Sequence, residues 1–198
     1  MRRTSLSIAA GLAAVLLVSA TPAQAAVTAK DAPSQKDIVK AFPELADAQF
    51  TTEKTKRIGV PGKTCEETTT QSVKSGTSTA GSSATVYPIV QTGVVELKSV
   101  AKAKAVMASY KKYVKKCATY TQPETGATLA LTKGKNLRLG DESLTFELQS
   151  TFSTTTNYAS TVVVRDGKRI GNVIAVDDAA VPVASVKPLA KLTAKKMR

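Results

Sequence analysis

The sequence predicts an α+β fold. One domain carries a twisted antiparallel sheet, with one long amphipathic helix and terminal helices packed on its apolar face. Three observations carry this reading. Residues Ser99 to Cys117 repeat apolar side chains at helical spacing. From Leu144 onward the period changes to two. Asp166-Gly167 then separates two runs rich in β-branched residues, the strongest short hairpin signal in the chain.

Taken in order, the chain opens with Met1-Arg2-Arg3, continues through an apolar block from Leu6 to Val18, and reaches Ala23-Gln24-Ala25. A positive start, a short apolar middle and an A-x-A site predict a secretory signal peptide over residues 1–25, with a mature start near Ala26. The block is too short to span a bilayer core of about 30 Å. No Cys follows the small-residue site, so a lipid-anchored start is not indicated. Thr4-Ser5-Leu6 after the twin arginines fits the extended twin-arginine pattern poorly, and ordinary unfolded secretion is expected. With no second long apolar segment, no transmembrane anchor is expected. Roughly 170 residues then remain, enough for one domain with a proper core.

Residues 26–33 are small and polar and read as a linker, leaving 34–198 as the domain. Ser34 suits a helix N-cap, with Asp37 three residues on in the manner of a capping box. Ile38, Val39 and Phe42 give a short apolar face, and Pro43 ends it. Residues 68–85 hold 11 Ser or Thr in 18 positions. So little apolar surface predicts a mobile loop or a frayed hairpin. Thr85 to Thr92 reads as a strand that Pro88 pushes toward a sheet edge or a bulge.

The long helix is the best-specified element. At about 100° per residue, Val100, Ala103, Val106, Met107, Tyr110, Tyr113, Val114 and Cys117 share one arc, while Lys102, Lys104, Lys111, Lys112, Lys115 and Lys116 fall on the other. Beyond it, Thr128 to Lys133 and Leu137 to Leu139 read as short strands. Leu144, Phe146, Leu148 and Phe152 alternate with polar residues, as in a strand with one face buried. Ala159 to Arg165 and Lys168 to Asp177 flank the hairpin turn. Pro188 is placed to start a terminal helix carrying Leu189, Leu192 and Met197.

The chain has no His, a net charge of +13 and only 5% aromatics. Without His, the usual neutral-pH base, the Ser-His and Cys-His nucleophile pairs and the commonest transition-metal ligand are all missing. Two cysteines cannot build a zinc cage, and there is no phosphate-cradling glycine loop or calcium loop. No cofactor or metal is therefore expected. Glu66-Glu67, Asp141-Glu142 and Asp177-Asp178 are neighbours in sequence, and glycoside cleavage needs two carboxyls facing each other across a substrate. They read as solvated turn positions, and the chain is expected not to be an enzyme. A small carboxylate hydrolase is the outlying alternative.

Cys65 and Cys117 are the only cysteines. In an exported chain two cysteines most often pair. Closing a loop of roughly 50 residues is worth about 4 kcal/mol in the chain-entropy model. Two buried free thiols or an intermolecular bridge are the alternatives. The surplus of lysines keeps a secreted protein soluble or, through Lys104, Lys111, Lys112 and Lys115, offers a face to anionic wall polymers or lipid headgroups. Nucleic acid is excluded by the extracellular address and the scarcity of aromatics. Tyr110 and Tyr113 read as core residues, with a pocket lining as the alternative.

The order of elements resembles the PknH-like extracellular sensor domain of actinobacteria over roughly residues 35–198. The carriers are the Cys65 region, Val94-Val95-Glu96-Leu97 leading into the Ala/Lys-rich helix that ends in Cys117, and Leu139-Gly140-Asp141-Glu142-Ser143 before a strand. Val162-Val163-Val164-Arg165 through Gly171-Asn172-Val173-Ile174 and a closing basic helix complete it. The resemblance implies a secreted or surface-held domain with a cleft that binds a small extracellular ligand without catalysis. The chain departs from that pattern in having no kinase, no membrane anchor and one candidate disulfide rather than two.

The functional expectation is a secreted, non-enzymatic, sensor-like domain, extracellular or wall-associated. It acts as a monomer and binds a small extracellular ligand of unknown identity. The alternative is a basic interaction protein that contacts anionic polymers at the wall or membrane surface.

Overall fold

The computed structural model describes residues 27–198, so the predicted signal peptide at 1–25 lies outside the described residues. Helix α1 (Gln35–Ala41) is followed by strands β1 (Gln49–Lys54), β2 (Arg57–Pro61), β3 (Thr68–Ser72), β4 (Ser75–Ser82) and β5 (Ile89–Glu96). Helix α2 (Val100–Lys116) leads to β6 (Thr119–Thr121), β7 (Thr128–Lys133), β8 (Glu142–Phe152), β9 (Thr155–Asp166) and β10 (Arg169–Asp177). Helix α3 (Val183–Lys196) closes the chain. Eight strands form one antiparallel sheet in the order β1-β4-β5-β10-β9-β8-β7-β6, and β2 and β3 pair as a separate ribbon.

The local signals at the helix starts act as the sequence suggests. The Asp37 N–H donates to Ser34 Oγ at 3.3 Å, and the Ser34 N–H donates back to the Asp37 carboxylate at 2.8 Å. Ser99 Oγ caps α2 by accepting from the Lys102 N–H at 3.2 Å. Ala103, Val106, Met107, Tyr113 and Val114 are its buried residues, whereas Val100, in the first turn, is 41% exposed. The β9–β10 hairpin turns at Gly167 and Lys168, with Asp166 facing Arg169. Gly167 takes φ +54° at the first loop position, as the primed hairpin turns require.

One expectation about the architecture changes. The helices do not share a face: α2 lies on one side of the sheet, and α1 and α3 lie on the other. Neighbouring residues of a strand therefore enter different cores. Val95, Val163 and Ile170 join the core under α2, while Val94, Val162, Val164 and Val173 join the core under α3. Burial on both faces explains why Val162, Val163 and Val164 of β9 follow one another without polar alternation.

Several local expectations are also corrected. Residues 68–85 are not a loose loop: β4 is an interior strand between β1 and β5, with Ser75, Thr77, Ser78 and Thr79 buried. Two of these hydroxyls, those of Ser75 and Thr79, have partners there. Ser75 Oγ accepts from the Val27 N–H at 2.8 Å, and the Thr52 and Thr79 hydroxyls lie 3.1 Å apart across the strands. The segment 26–33 is not a free linker over its described part, since Val27 and Ala32 are buried in the α3-side core. The strand after Pro88 begins at Ile89, because Val86 at φ +83° cannot continue a ladder. Leu137 to Leu139 forms no strand. Asn136 Oδ1 accepts from the Arg138 N–H and the Ser143 hydroxyl, which holds the segment as a turn. Helix α3 starts at Val183, and Pro188 lies inside it. Val186, buried on the sheet, extends the apolar stripe upstream of the proline.

Candidate ligand-binding cleft

On the α2 side the sheet is not fully covered by the helix. The β2–β3 ribbon stands over the remainder, and a cavity of about 100 Å³ lies between ribbon, helix and sheet. That is several times the room one water needs. The ribbon contributes Ile58, Val60 and Pro61; α2 contributes Tyr110 and Tyr113; β6 contributes Tyr120, and Gln122 follows just beyond it. The floor is Thr77 of β4, Gln91 and Gly93 of β5, and Asn172 and Ile174 of β10.

The ribbon is tied to α2 by a disulfide and by hydrogen bonds, among them Lys116 Nζ donating to the Lys63 carbonyl at 3.0 Å. Cys65, just beyond β2, is bonded to Cys117 at the end of α2, with Cα atoms 5.6 Å apart. The predicted intramolecular disulfide is therefore present. Two turns back along α2, the Tyr110 hydroxyl donates to the Gly59 carbonyl at 3.0 Å. Burial pushes the Tyr110 phenol up to about 12. The Tyr113 and Tyr120 hydroxyls are hydrogen-bonded at 2.9 Å, with their rings edge to face at 6.5 Å. Burial raises both phenols, and the charge of Glu66 at the rim adds to the rise at Tyr120. All three phenols stay protonated near neutral pH. They offer apolar ring surface and hydroxyls, not charge.

The floor has spare hydrogen-bonding capacity. Among the described residues, the side chains of Thr77, Gln91 and Asn172 make no hydrogen bond within the protein. Gly93 creates room for one of them: a Cβ there would lie 2.8 Å from Asn172 Oδ1. Asn172 faces Gly93 and Ile174 faces Gln91 in the β5–β10 register, so the amides project from adjacent strands. No Lys or Arg lines the cavity, although the chain carries +13. Glu66 and Glu67 stand at its rim. Glu67 is committed to a turn, its carboxylate accepting from the Lys63 N–H at 2.9 Å.

The other carboxylate pairs lie outside this cleft. Asp141 and Glu142 both bind Arg165, at 2.8 and 3.1 Å, and Glu142 also pairs with Lys111 of α2. The Leu139-to-Ser143 motif is thus a clamp between helix and sheet. Burial pushes the Glu142 carboxyl up, but the hydrogen bonds from Lys111 and Arg165 outweigh this and hold it below its ordinary value. Asp177 and Asp178 lie at the end of β10. No group of three or more His, Cys, Asp or Glu able to hold a metal is found among the described residues.

Lys104, Lys111, Lys112 and Lys115 are all exposed on α2. They do not form one free patch, since Lys111 is tied to Glu142. Tyr110 and Tyr113 turn out to serve both readings, packing in the core and lining the cleft. Sequence reasoning missed Gln91, Asn172 and Tyr120. A signal did exist: Asn172 takes the inward position between Ile170 and Ile174, and Gln91 takes it between Ile89 and Gly93.

No protein-family model matches the chain, and no curated protein matches it in sequence. Similar solved structures do exist. The extracellular domain of PknH from Mycobacterium tuberculosis is 11% identical, with a TM-score of 0.59 covering 89% of this chain and 97% of that one. The Rv0999 ortholog of Mycobacterium smegmatis is 10% identical, with a TM-score of 0.44 covering 84% of this chain and 97% of that one. No helix among the described residues is long and apolar enough to cross a membrane. Residues 27–198 therefore have the fold of the PknH extracellular domain.

Proposed function

We propose that the chain is a secreted, sensor-like domain that binds a small extracellular ligand in the cleft beneath the β2–β3 ribbon and performs no catalysis. The observation that carries this is the cleft floor, where Thr77, Gln91 and Asn172 are unpaired below a ribbon fixed by Cys65–Cys117. A pocket with apolar walls and a few convergent polar groups is what small-ligand sites require. The shared fold with an extracellular domain, the disulfide and the predicted signal peptide all favour work outside the cytoplasm. The test is native mass spectrometry of monomeric protein recovered from culture fluid, beside Gly93→Val. A retained small mass in the wild type that is missing from the variant is expected. No retained mass in either after removal of salts, or a mass retained equally by both, counts against the cleft.

A second reading rests on a separate observation. Neither α2 nor α3 contains an acidic residue, and the two helices lie on opposite faces. Their exposed lysines suit contact with anionic wall polymers. Changing Lys104, Lys112 and Lys115 to Gln should then weaken retention on a polyanionic resin more than a matched change of other exposed lysines. Equal retention removes this reading.

A further inference from the structure

We infer that the ligand of the cleft is uncharged and rich in hydroxyls, the terminal ring of a saccharide. The inference rests on the cleft being a ligand site and deepens that reading. It follows from what the lining groups can and cannot satisfy. Gln91 and Asn172 each bring an N–H₂ donor and a carbonyl acceptor, and Thr77 brings a hydroxyl that does both. Gln122 Oε1 already accepts from the Thr125 hydroxyl at 3.2 Å, which leaves its amide N–H₂ to donate. The free inventory is therefore mixed in both donors and acceptors.

An anionic ligand needs donors and a counter-charge. No Lys or Arg lines the cleft, and Glu66 stands at its mouth. A cationic ligand needs acceptors only. It would leave the N–H₂ groups of Gln91, Asn172 and Gln122 covered and unpaired, which costs affinity. It would also approach against the field of a chain carrying +13. A hydroxyl both donates and accepts, so a polyol can satisfy every one of these groups. The phenol rings and the Ile58 and Val60 side chains supply apolar surface for the C–H face of a sugar ring. The cavity, about 100 Å³, takes part of one ring and leaves the rest at the open mouth. That favours a chain end over a buried whole molecule.

The experiment uses the full secreted chain with named probes: glucose, galactose, N-acetylglucosamine and maltose, with glucuronate and choline as charged controls. Saturation-transfer NMR and calorimetry read binding up to about 50 mM, well above the millimolar dissociation constants expected of single sugar rings. At least one neutral sugar should bind. The Gln91→Ala, Asn172→Ala double variant should weaken it at least about tenfold, Gly93→Val should abolish it, and Lys40→Gln, at an exposed position of α1 across the sheet, should leave it unchanged. Melting curves confirm folding of each variant. The double variant removes only cleft-lining side chains with no internal bonds, so it stands even if Gly93→Val fails to fold. Binding of glucuronate or choline alone, lost in the double variant, overturns the uncharged-saccharide class and leaves the cleft reading intact. No neutral sugar bound overturns the inference. A small mass still retained in native spectra then keeps the cleft reading, and no retained mass defeats both.

Discussion

The two faces of the central sheet are built from the same strands, yet one is sealed and the other holds a cleft. On the α3 side, β5 presents Val90 and Val94 and β10 presents Val173 and Ala175, all buried in one core. Gly171 lets the helix come close, since a Cβ there would lie 2.5 Å from Thr193 Cγ2. On the α2 side the alternate residues are Gln91, Gly93, Asn172 and Ile174. There a glycine is followed by space rather than by a helix, and the cover is a disulfide-tied ribbon. The same structural freedom thus closes one face and opens the other. What differs is whether the facing element is apolar and continuous. Both faces carry a buried core, and binding should therefore reside on the open one.

Leu189→Ala should show the largest effect on stability. Leu189 is buried on the sealed face, and a Leu→Ala change in a core costs about 2–5 kcal/mol. Denaturant melts should register that loss while cleft binding, measured on the folded fraction, stays at the wild-type level. Next comes the Cys65→Ser, Cys117→Ser double variant. Opening the loop should lower stability by about 2–4 kcal/mol, and, unlike Leu189→Ala, it should also abolish binding because the ribbon loses its anchor. If binding survives without the disulfide, the ribbon is not the cover that the comparison requires.

A matched pair of glycine changes sharpens the contrast. Gly171→Val forces its branches into Thr193 and Met197, an overpacking expected to cost about 1–3 kcal/mol. A Cβ at Gly93 meets the movable end of Asn172 at 2.8 Å, with the Thr77 carbonyl at 3.3 Å and Ser78 Cβ at 3.5 Å beside it, so Gly93→Val should cost less than Gly171→Val while removing binding. Reversed costs would contradict the assignment of sealed and open faces.

Titration should separate charge clamps from phenols. Burial pushes the Glu96 carboxyl up, but the hydrogen bonds from Lys168 and Lys74 outweigh this and hold it below 4.5. A carboxyl depressed by folding stabilises above its unfolded value, and that contribution fades as pH falls through the lower folded value. The melting temperature should decline below about pH 4.5, and Glu96→Gln should decline less steeply. Tyr110 behaves oppositely. Its phenol rises from 10.0 to about 12, so its contribution is whole below pH 10 and is lost as pH rises toward 12. Tyr110→Phe should flatten the alkaline loss. The smallest effect is expected at Lys111→Gln, whose half-exposed pair with Glu142 is worth about 0.5 kcal/mol.

How much of this was legible in the sequence depends on the range of the determinant. The Ser34–Asp37 box, the arc of α2 and the β9–β10 hairpin are set by neighbours within a few residues, and all three are found. The Cys65–Cys117 bond was legible because two cysteines in an exported chain have few alternatives. The side of the sheet taken by each helix was not. A strand buried on both faces, such as β9, carries no alternation that distinguishes them. The Ser/Thr segment looked loose because its small residues hold no apolar signal, yet β1 and β5 pair with it and bury it. The amides of the floor were hidden for a related reason. Gln91 and Asn172 mark inward positions only once the register of β5 and β10 is known.

The cleft's occupancy can be followed through its own phenols. The chain has no Trp and five Tyr, three of which line the cavity. Tyrosine emission of the purified protein should therefore change, and saturate, as the low-molecular-weight fraction of the host's culture fluid is added. The same titration of Gly93→Val should stay flat, with both proteins melting alike. A saturable change of equal size and midpoint in wild type and variant, or none in either, would contradict the account that this cleft is where the protein binds its ligand.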